Sequence, residues 1–374
     1  MKREFDVLVT DSRYKHALAA VRALGKEGLR VATCSEGFSP TSFSRFSKRS
    51  FSYNKKNFRD LLIKFIKEND VKLVLPIGYG TNRMCSEIKK EISEYSNIVV
   101  DDFSKMQIVS DKSKIIYLLK KENIVFPQTF VINKLDQIKN ISEGKDWIIK
   151  SSFEETGKKV DYASSKKELK DIMEVRLKFG PQIVQERILG EGRGFFAFCD
   201  KGKILQSFQH RRIRQYPESG GVSSCAESIF DKDLENISVK FLKSIKWTGP
   251  VMLEFIYDEN AKKYYFLEMN PKFWGSLDLS IFCGLNFPII PFRLTREEEI
   301  RKEKYSVGKR FQWMLPEDIL RIKTSKNKKS ARRDLKKDFL NKRVGKDISY
   351  IFKDPLPTLI RLAATVVQYL LKWN

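Results

Sequence analysis

The feature that most constrains the fold is the order in which strand-like and helix-like patterns of apolar residues follow one another along the chain. In the first hundred residues, short β-rich runs alternate with amphipathic helical stretches, as in residues 5–10 followed by residues 14–27. Strands that alternate with helices through short links are typical of an open parallel α/β sheet. The turn after the first run contains no GxGxxG, so the fingerprint of a dinucleotide-binding site is absent.

The pattern changes near residue 110. Ser110 is the predicted N-cap of a helix that ends near Leu119, and residues 147–150 are a predicted strand that ends in Lys150. After a helix over 165–179 and a strand over 182–190, strands follow one another directly, with a turn at residues 200–202. Adjacent strands predict an antiparallel sheet, so the fold class is α/β followed by α+β.

Two carboxylates lie inside apolar runs of a predicted hairpin. Glu254 stands in residues 251–255 and Glu268 in residues 265–270, and Asn270 shares the strand face of Glu268. Two carboxylates and an amide oxygen form a site that suits Mg²⁺, whereas burying both acids without a cation would cost several kcal/mol. The alternative is a pair of solvated acids on an amphipathic hairpin, but the apolar neighbours favour the metal site.

These residues give the chain a specific resemblance. The run from Glu268 to Gly275, with Asn270-Pro-Lys272 inside it, resembles the acid-x-Asn-Pro-Arg ending of ATP-grasp enzymes of the carbamoyl-phosphate-synthase type. Gln185-Glu-Arg-Ile-Leu-Gly190 resembles the segment that holds the adenine in that family. The resemblance implies an N-terminal pre-ATP-grasp domain at 1–105, a small lobe at 106–190, a large lobe with the metal hairpin at 191–300, and a basic tail at 301–374.

The resemblance also implies the ligands and the residues that bind them. ATP with Mg²⁺ or Mn²⁺ is the expected cofactor. Three differences from the family pattern stand out: Lys272 replaces an arginine, Ser151 replaces a proline, and the phosphate-covering loop at 153–159 has a single glycine. By the resemblance, the metal ligands are Glu254, Glu268 and Asn270, the phosphate contacts are Lys112 and Lys150, and the residues bordering the adenine are Gln185, Glu186 and Ile188.

Three arginines lie between the adenine segment and the metal hairpin. Arg211, Arg212 and Arg214 precede a Gly-Gly loop, in the region that faces the acceptor in the resembling enzymes. With Lys272, they are candidates for binding an anionic substrate or the departing phosphate. On a strand, Arg212 and Arg214 share one face and Arg211 has the other, so only part of the trio can reach one site. The alternative is a solvated basic strand.

The predicted function is ATP-dependent ligation of a carboxylate to an amine, or a similar nucleophile, through an acyl phosphate, with release of ADP and phosphate. An ATP-binding regulatory or inactive relative is the first alternative. The net charge of +24 suggests nucleic-acid binding as the second alternative, but the sequence contains no zinc-finger or RNP motif. Five scattered cysteines, no secretion signal and no long apolar run predict a cytoplasmic protein without disulfides.

The C-terminal segment is basic and ends in an amphipathic helix. Residues 301–353 contain 18 basic and 6 acidic residues, half of the excess charge. From Pro357 onward, an apolar stripe that includes Leu359, Val366 and Leu370 is opposed by a polar face with Arg361 and Thr365. The helix is predicted to pack on its own domain or on a second copy in a homodimer. Alternatively it lies on an anionic membrane at the inner surface, with Trp373 at the interface.

Overall fold

The computed structural model describes residues 4–153, 160–218 and 220–371. These residues form three β-sheets. The first is a five-stranded parallel sheet in the order β3-β2-β1-β4-β5, as the alternation of strands and helices predicts. Its strands are β1 Phe5–Val9, β2 Val31–Glu36, β3 Ser47–Tyr53, β4 Val71–Leu75 and β5 Asn97–Ile98. Its helices are α1 Lys15–Lys26, α2 Phe58–Asn69, α3 Tyr79–Glu87, α4 Lys89–Ser93 and α5 Phe103–Ser110.

The second sheet has four antiparallel strands in the order β6-β9-β7-β8. The prediction that Ser110 caps the following helix is wrong. Ser110 is the last residue of α5, and Asp111 caps α6 because its carboxylate accepts the backbone N–H of Ser113 at 2.9 Å. The elements are β6 Thr129–Ile132, β7 Trp147–Ser151, β8 Asp161–Ala163 and β9 Gln182–Glu186, with helices α6 Lys112–Lys121 and α7 Lys166–Arg176.

The third sheet has seven strands in the order β14-β13-β10-β11-β12-β15-β16. Its long hairpin β10–β11 turns at Lys201 and Gly202, both with positive φ, and neighbouring strands are antiparallel except for β15 and β16. The strands are β10 Glu191–Asp200, β11 Lys203–Tyr216, β12 Val222–Ser228, β13 Gly249–Asp258, β14 Lys263–Asn270, β15 Arg310–Gln312 and β16 Gly345–Lys346. The helices between them are α8 Lys232–Ser244, α9 Leu277–Phe282 and α10 Ile289–Thr295.

The segment after residue 300 is part of the folded body, contrary to the prediction of a basic tail outside it. Strands β15 and β16 extend the third sheet, and Phe311 and Trp313 are buried in an apolar cluster that also contains Val7 of β1. Basic residues dominate the composition here, but a few large apolar side chains are enough to anchor the segment. The remaining helices are α11 Ile319–Thr324, α12 Lys328–Leu340 and α13 Pro355–Leu371.

Helix α1 lies against the third sheet as well as against its own. Ala20 and Val21 of α1 share a core with Phe196 of β10 and Trp274, which follows β14. At the start of α1, Lys15 Nζ lies 2.6 Å from a carboxylate oxygen of Glu317. The parallel sheet is therefore held next to the end of the metal hairpin.

Candidate active site

The predicted hairpin is present and brings the two carboxylates face to face. In the antiparallel pair β13–β14, Glu254 lies directly opposite Glu268, and Met252 lies opposite Asn270. Residues opposite each other in such a pair project from the same face of the sheet. Asn270 Nδ2 donates a hydrogen bond to Glu254 Oε1 at 3.3 Å. The three predicted metal ligands therefore lie together.

Three lysines from different elements surround Glu268. Burial by itself would raise the pKa of this half-buried carboxyl. The positive charges of Lys112 and Lys150 outweigh that effect, and a hydrogen bond from Asn270 and the charge of Lys272 act in the same direction. The pKa of Glu268 is consequently held below its ordinary value. Lys112 begins α6, Lys150 is in β7, and Lys272 follows β14, so one carboxylate marks the point where their charges converge.

Lys150 joins the small antiparallel sheet to the metal hairpin. Its Nζ donates to Gln185 Oε1 at 3.0 Å and lies 3.5 Å from the carbonyl oxygen of Leu267 in β14. Gln185 in turn donates through Nε2 to Thr129 Oγ1 at 3.0 Å. These contacts tie β6, β7, β9 and β14 together around one narrow cavity.

The lining of that cavity combines polar and apolar side chains. Lys112, Lys150, Gln185 and Glu268 contribute polar groups to its lining. Among the described residues, the lining does not include Glu186 or Ile188, although both belong to the predicted adenine segment. The apolar lining residues are Val109, Ile115, Ile116, Leu119, Phe126, Ile183, Phe266, Leu267 and Met269.

The adenine segment turns away from this cavity after Gln185. Glu186 is ion-paired with Lys145 at 2.8 Å, and Ile188 lies beyond the end of β9, half-buried. Gly190 ends the segment. A Cβ atom added at this position would lie 2.3 Å from the carbonyl oxygen of Tyr257. The glycine is therefore required by the close approach of two backbones.

Of the three arginines, Arg212 is the one that contacts the metal hairpin. Its guanidinium forms an ion pair with Glu254 and donates to the carbonyl oxygen of Gly221 at 3.3 Å. The Arg212 side chain lies over Gly192. A Cβ atom added at Gly192 would be 3.1 Å from Arg212 Cδ. Arg212 lines an open cavity of about 450 Å³, together with Arg214, Glu218 and Arg321 among others.

The other two arginines have carboxylate partners elsewhere. Arg211 pairs with Glu191 at 3.1 Å and with Glu227 at 2.6 Å. Arg214 pairs with Asp318 at 2.9 Å and also with Asp338. The predicted trio is therefore divided, because Arg211 points to the opposite face and Arg214 is buried in an ion-pair cluster with the C-terminal segment.

The donor set on the hairpin fits a hard divalent cation. Carboxylate and amide oxygens are the groups that Mg²⁺ binds, and the guanidinium of Arg212 already places a positive charge against Glu254. Within residues 4–153, 160–218 and 220–371, no cluster of three or more His, Cys, Asp or Glu side chains could hold a metal. The candidate is thus two carboxylates with one amide. Residues 154–159 of the predicted phosphate-covering loop lie outside the described residues.

The sequence reasoning missed the contribution of α1. His16 lies close enough to Lys272 and Lys15 for their charges to act on it; burial, followed by these two charges, lowers its pKa to about 3. The ring of His16 stacks on Tyr14 at 5.3 Å between centroids. No local signal links residue 16 to residue 272, because only the packing of the first sheet against the hairpin brings them together.

Comparison with protein families agrees with the geometry. Residues 109–276 match the model of the ATP-grasp domain family. A D-alanine–D-alanine ligase of Rickettsia peacockii is 26% identical over 184 residues, which cover 44% of this chain and 56% of the ligase. The chain thus spans little more than half the length of that relative.

Solved structures with the same fold extend over most of the chain. An N5-carboxyaminoimidazole synthetase from Staphylococcus aureus superposes with a TM-score of 0.65 at 13% identity, over 82% of this chain and 81% of the synthetase. The biotin carboxylase domain of a Hydrogenobacter thermophilus 2-oxoglutarate carboxylase, solved with MgADP and bicarbonate, gives a TM-score of 0.66 at 15% identity, over 82% and 73% of the two chains. The predicted fold, a parallel α/β domain followed by an ATP-grasp fold, is confirmed.

Proposed function

Since residues 109–276 form an ATP-grasp domain, we propose that the chain is an ATP- and Mg²⁺-dependent ligase that joins a carboxylate to an amine. The observation that carries this proposal is the convergence of three lysines on Glu268, directly across the hairpin from Glu254. A cluster of cations beside two carboxylates serves a ligand that carries many negative charges and a divalent metal. ATP with Mg²⁺ has both properties.

The narrow cavity is the proposed nucleotide site. Its apolar lining residues suit a purine ring, and Lys112 and Lys150, also in the lining, neutralise phosphate charge. Gln185 keeps the Lys150 ammonium directed toward β14 through the bond at 3.0 Å. Glu186, the last residue of β9, and Ile188, two residues beyond it, do not line this cavity, and they remain proposed borders of an adenine that extends past Gln185.

Glu254, Glu268 and Asn270 are the proposed ligands of the metal, either Mg²⁺ or Mn²⁺. Bound there, the ion would supply Lewis-acid neutralisation of phosphate oxygens. The low pKa of Glu268 keeps that carboxylate ionised, and therefore able to bind a cation, throughout the neutral range. Arg212 neutralises Glu254 when the two are in contact, so the metal and this guanidinium compete for one carboxylate.

In the proposed reaction, a carboxylate oxygen of the first substrate attacks the γ-phosphorus of ATP and ADP leaves. The amine nitrogen of the second substrate then attacks the carbonyl carbon of the acyl phosphate, phosphate leaves, and the amine loses a proton. Neither step needs a nucleophilic side chain of the protein. We assign to Arg212 and Lys272 the stabilisation of negative charge on the acyl phosphate and on the departing phosphate. The ion pair of Arg212 with Glu254 and the effect of the Lys272 charge on Glu268 support this role.

ADP release measured against panels of amino acids, sugar acids and small amines tests this proposal. We expect release that requires Mg²⁺ or Mn²⁺ and increases strongly only when one acid and one amine are both present. The matched control is Glu268→Gln, which keeps the shape of the side chain and removes its charge. Release that needs neither acid nor amine would contradict ligation.

The alternative of an ATP-binding regulatory relative has one observation in its favour. Arg212 is ion-paired with Glu254, so a cation of the protein itself already engages one proposed metal ligand. ATP binding by calorimetry with no ADP release under any substrate pair would support this alternative. Metal-dependent turnover would exclude it.

A further inference from the structure

Helix α13 docks on the protein through its polar side. Thr358 and Thr365 are 4% and 2% exposed, and Arg361 donates to the backbone carbonyl of Leu315. Arg22 of α1 donates to Thr358 Oγ1 at 3.2 Å and forms an ion pair with Asp354, just before the helix, at 2.8 Å. The polar face with Arg361 and Thr365, rather than the apolar stripe, is therefore the face that is bound.

The apolar stripe of α13 is consequently left in solvent. Its large side chains share one side of the helix, with exposed Ala363 between Leu359 and Val366, and they are between 43% and 60% exposed: Leu356, Leu359, Val366, Val367 and Leu370. Phe352, which directly precedes the helix, is 90% exposed. The short 3-10 helix Pro40–Phe43 packs against α13 and adds the exposed ring of Phe43. Soluble proteins rarely present so continuous an apolar stripe without a partner.

Cations surround the start of this helix. Lys353 lies next to it in sequence, and Lys26 Nζ lies 5.4 Å from the ring centroid of Tyr350, three residues earlier. Burial first, and then the charge of Lys353, lower the pKa of Lys26. The backbone N–H of Arg45 donates to Asp354 at 3.0 Å, and Lys48 Nζ donates to the carbonyl oxygen of Arg45 at 2.9 Å. All four side chains are exposed. Asp354, the carboxylate that accepts from Arg45, is buried and ion-paired with Arg22.

We propose that α13 lies flat on an anionic phospholipid surface. The exposed stripe and Phe352 enter the boundary between head groups and acyl chains, and the cations at the start of the helix contact the phosphates. No helix among the described residues is long and apolar enough to cross a membrane. The proposal is accordingly one of peripheral contact.

Charge favours a membrane over a second copy of the chain on this face. In a two-fold symmetric dimer, the same patch contacts itself, so the cations around Lys353 would be brought toward their counterparts. The chain carries a net charge of +24, and like charges at an interface oppose association. An anionic lipid surface instead attracts every one of these side chains.

The test is co-sedimentation of the full chain with vesicles at low salt. We expect binding to vesicles made of equal parts phosphatidylglycerol and phosphatidylcholine, and none to vesicles of phosphatidylcholine alone. The triple substitution Val366→Ser, Val367→Ser and Leu370→Ser should weaken binding at least tenfold. Val175→Ser, at a residue 57% exposed on α7, is the matched control and should bind as the unchanged chain does.

A second variant keeps the test decisive if the triple variant folds poorly. Lys48→Gln with Lys353→Gln leaves the apolar stripe intact and should reduce binding to the anionic vesicles severalfold. Equal sedimentation with both kinds of vesicle, or none with either, would overturn the proposal. Absence of vesicle binding with a concentration-dependent dimer that the triple variant abolishes would assign the stripe to contact between copies.

Discussion

The nucleotide end of the site and the arginine strand β11 differ in how their charges are satisfied. At the proposed nucleotide end, Lys112, Lys150 and Lys272 come from three separate elements, and all three charges act on Glu268. On β11, Arg211 and Arg214 each contact two carboxylates. Cations that converge from several elements suit a phosphate-binding site, whereas ion pairs with several carboxylates hold elements together.

This difference separates Arg212 from its neighbours. Arg212 has one carboxylate partner, Glu254, and that partner is itself a proposed metal ligand. Arg214 connects β11 to Asp318 and to Asp338 of α12, which fastens the C-terminal segment to the third sheet. Two residues that are nearly adjacent in sequence therefore have different surroundings: Arg212 contacts a proposed metal ligand, and Arg214 contacts the C-terminal segment.

The largest effect expected is a loss of stability in Arg214→Ala. This side chain is 8% exposed, and its removal takes one cation from the buried carboxylates of Asp318 and Asp338, which keep Arg321 and Arg310 as their remaining partners. Losing one partner of a buried ion pair costs up to about 3–5 kcal/mol of unfolding free energy. Denaturant unfolding measures it. Arg212→Ala is the matched control, expected to unfold close to the unchanged chain while losing turnover. A stable Arg214→Ala protein that lacks turnover would place Arg214 in the site instead.

Glu268→Gln should affect turnover rather than stability. The substitution keeps the volume of the side chain but removes the negative charge on which the three lysines converge. Loss of one group that is preorganised for charge stabilisation costs about 10²–10³ in turnover. ADP release by a variant with an unchanged melting temperature is the measurement. Normal ADP release would remove Glu268 from the list of metal ligands.

Local sequence patterns predicted the fold where the partners are near in sequence. The apolar repeats of β1, α1 and α2 predict the parallel sheet. The apolar runs around Glu254 and Glu268 predict the hairpin in which these two residues lie on neighbouring strands. Strand β3 was missed because it is a polar edge strand, with Tyr53 its single buried residue.

The errors at α13 and at Arg214 share one physical cause, which is a partner far away in sequence. The polar face of α13 is buried because Arg22 and the carbonyl of Leu315 satisfy it. Arg214 is in an ion-pair cluster because Asp318 and Asp338, more than a hundred residues later, lie beside it. Periodicity shows which side of a helix is apolar, but not which side has hydrogen-bond partners in the folded chain.

His210 provides a pH test on the same strand as the arginines. It is 1% exposed, stacks on Phe196 and lies with Nε2 2.9 Å from Ser276 Oγ. Burial, and then the charge of Arg212, lower its pKa to about 3. Because the folded pKa lies below the unfolded value, the neutral ring contributes stability above about pH 6.5 that is lost as the pH falls.

The expected size of that loss is about 2 kcal/mol at about pH 5. Burial raises the pKa of Asp347 to about 6, which works in the opposite direction by making the folded state bind a proton as the pH falls. The measurement is therefore the difference between the unchanged chain and His210→Gln, in which position 210 does not titrate. Parallel pH profiles of the unfolding free energy in the two proteins would show that His210 is charged, or accessible, in the folded state.

The smallest effect expected is on ATP affinity in Lys150→Met. Methionine keeps most of the apolar stem that packs in β7 and removes one of three positive charges, so two lysines remain to bind phosphate. We expect the dissociation constant for ATP to rise about tenfold, or about 1.4 kcal/mol. Lys170→Met, on an exposed face of α7 with Glu174 as its partner, removes the same charge away from the cavity and should leave the affinity unchanged. If both substitutions raised the dissociation constant equally, the lysines would act only through the overall charge of the protein. The proposed nucleotide end would then not differ from the arginine strand in how it binds ATP.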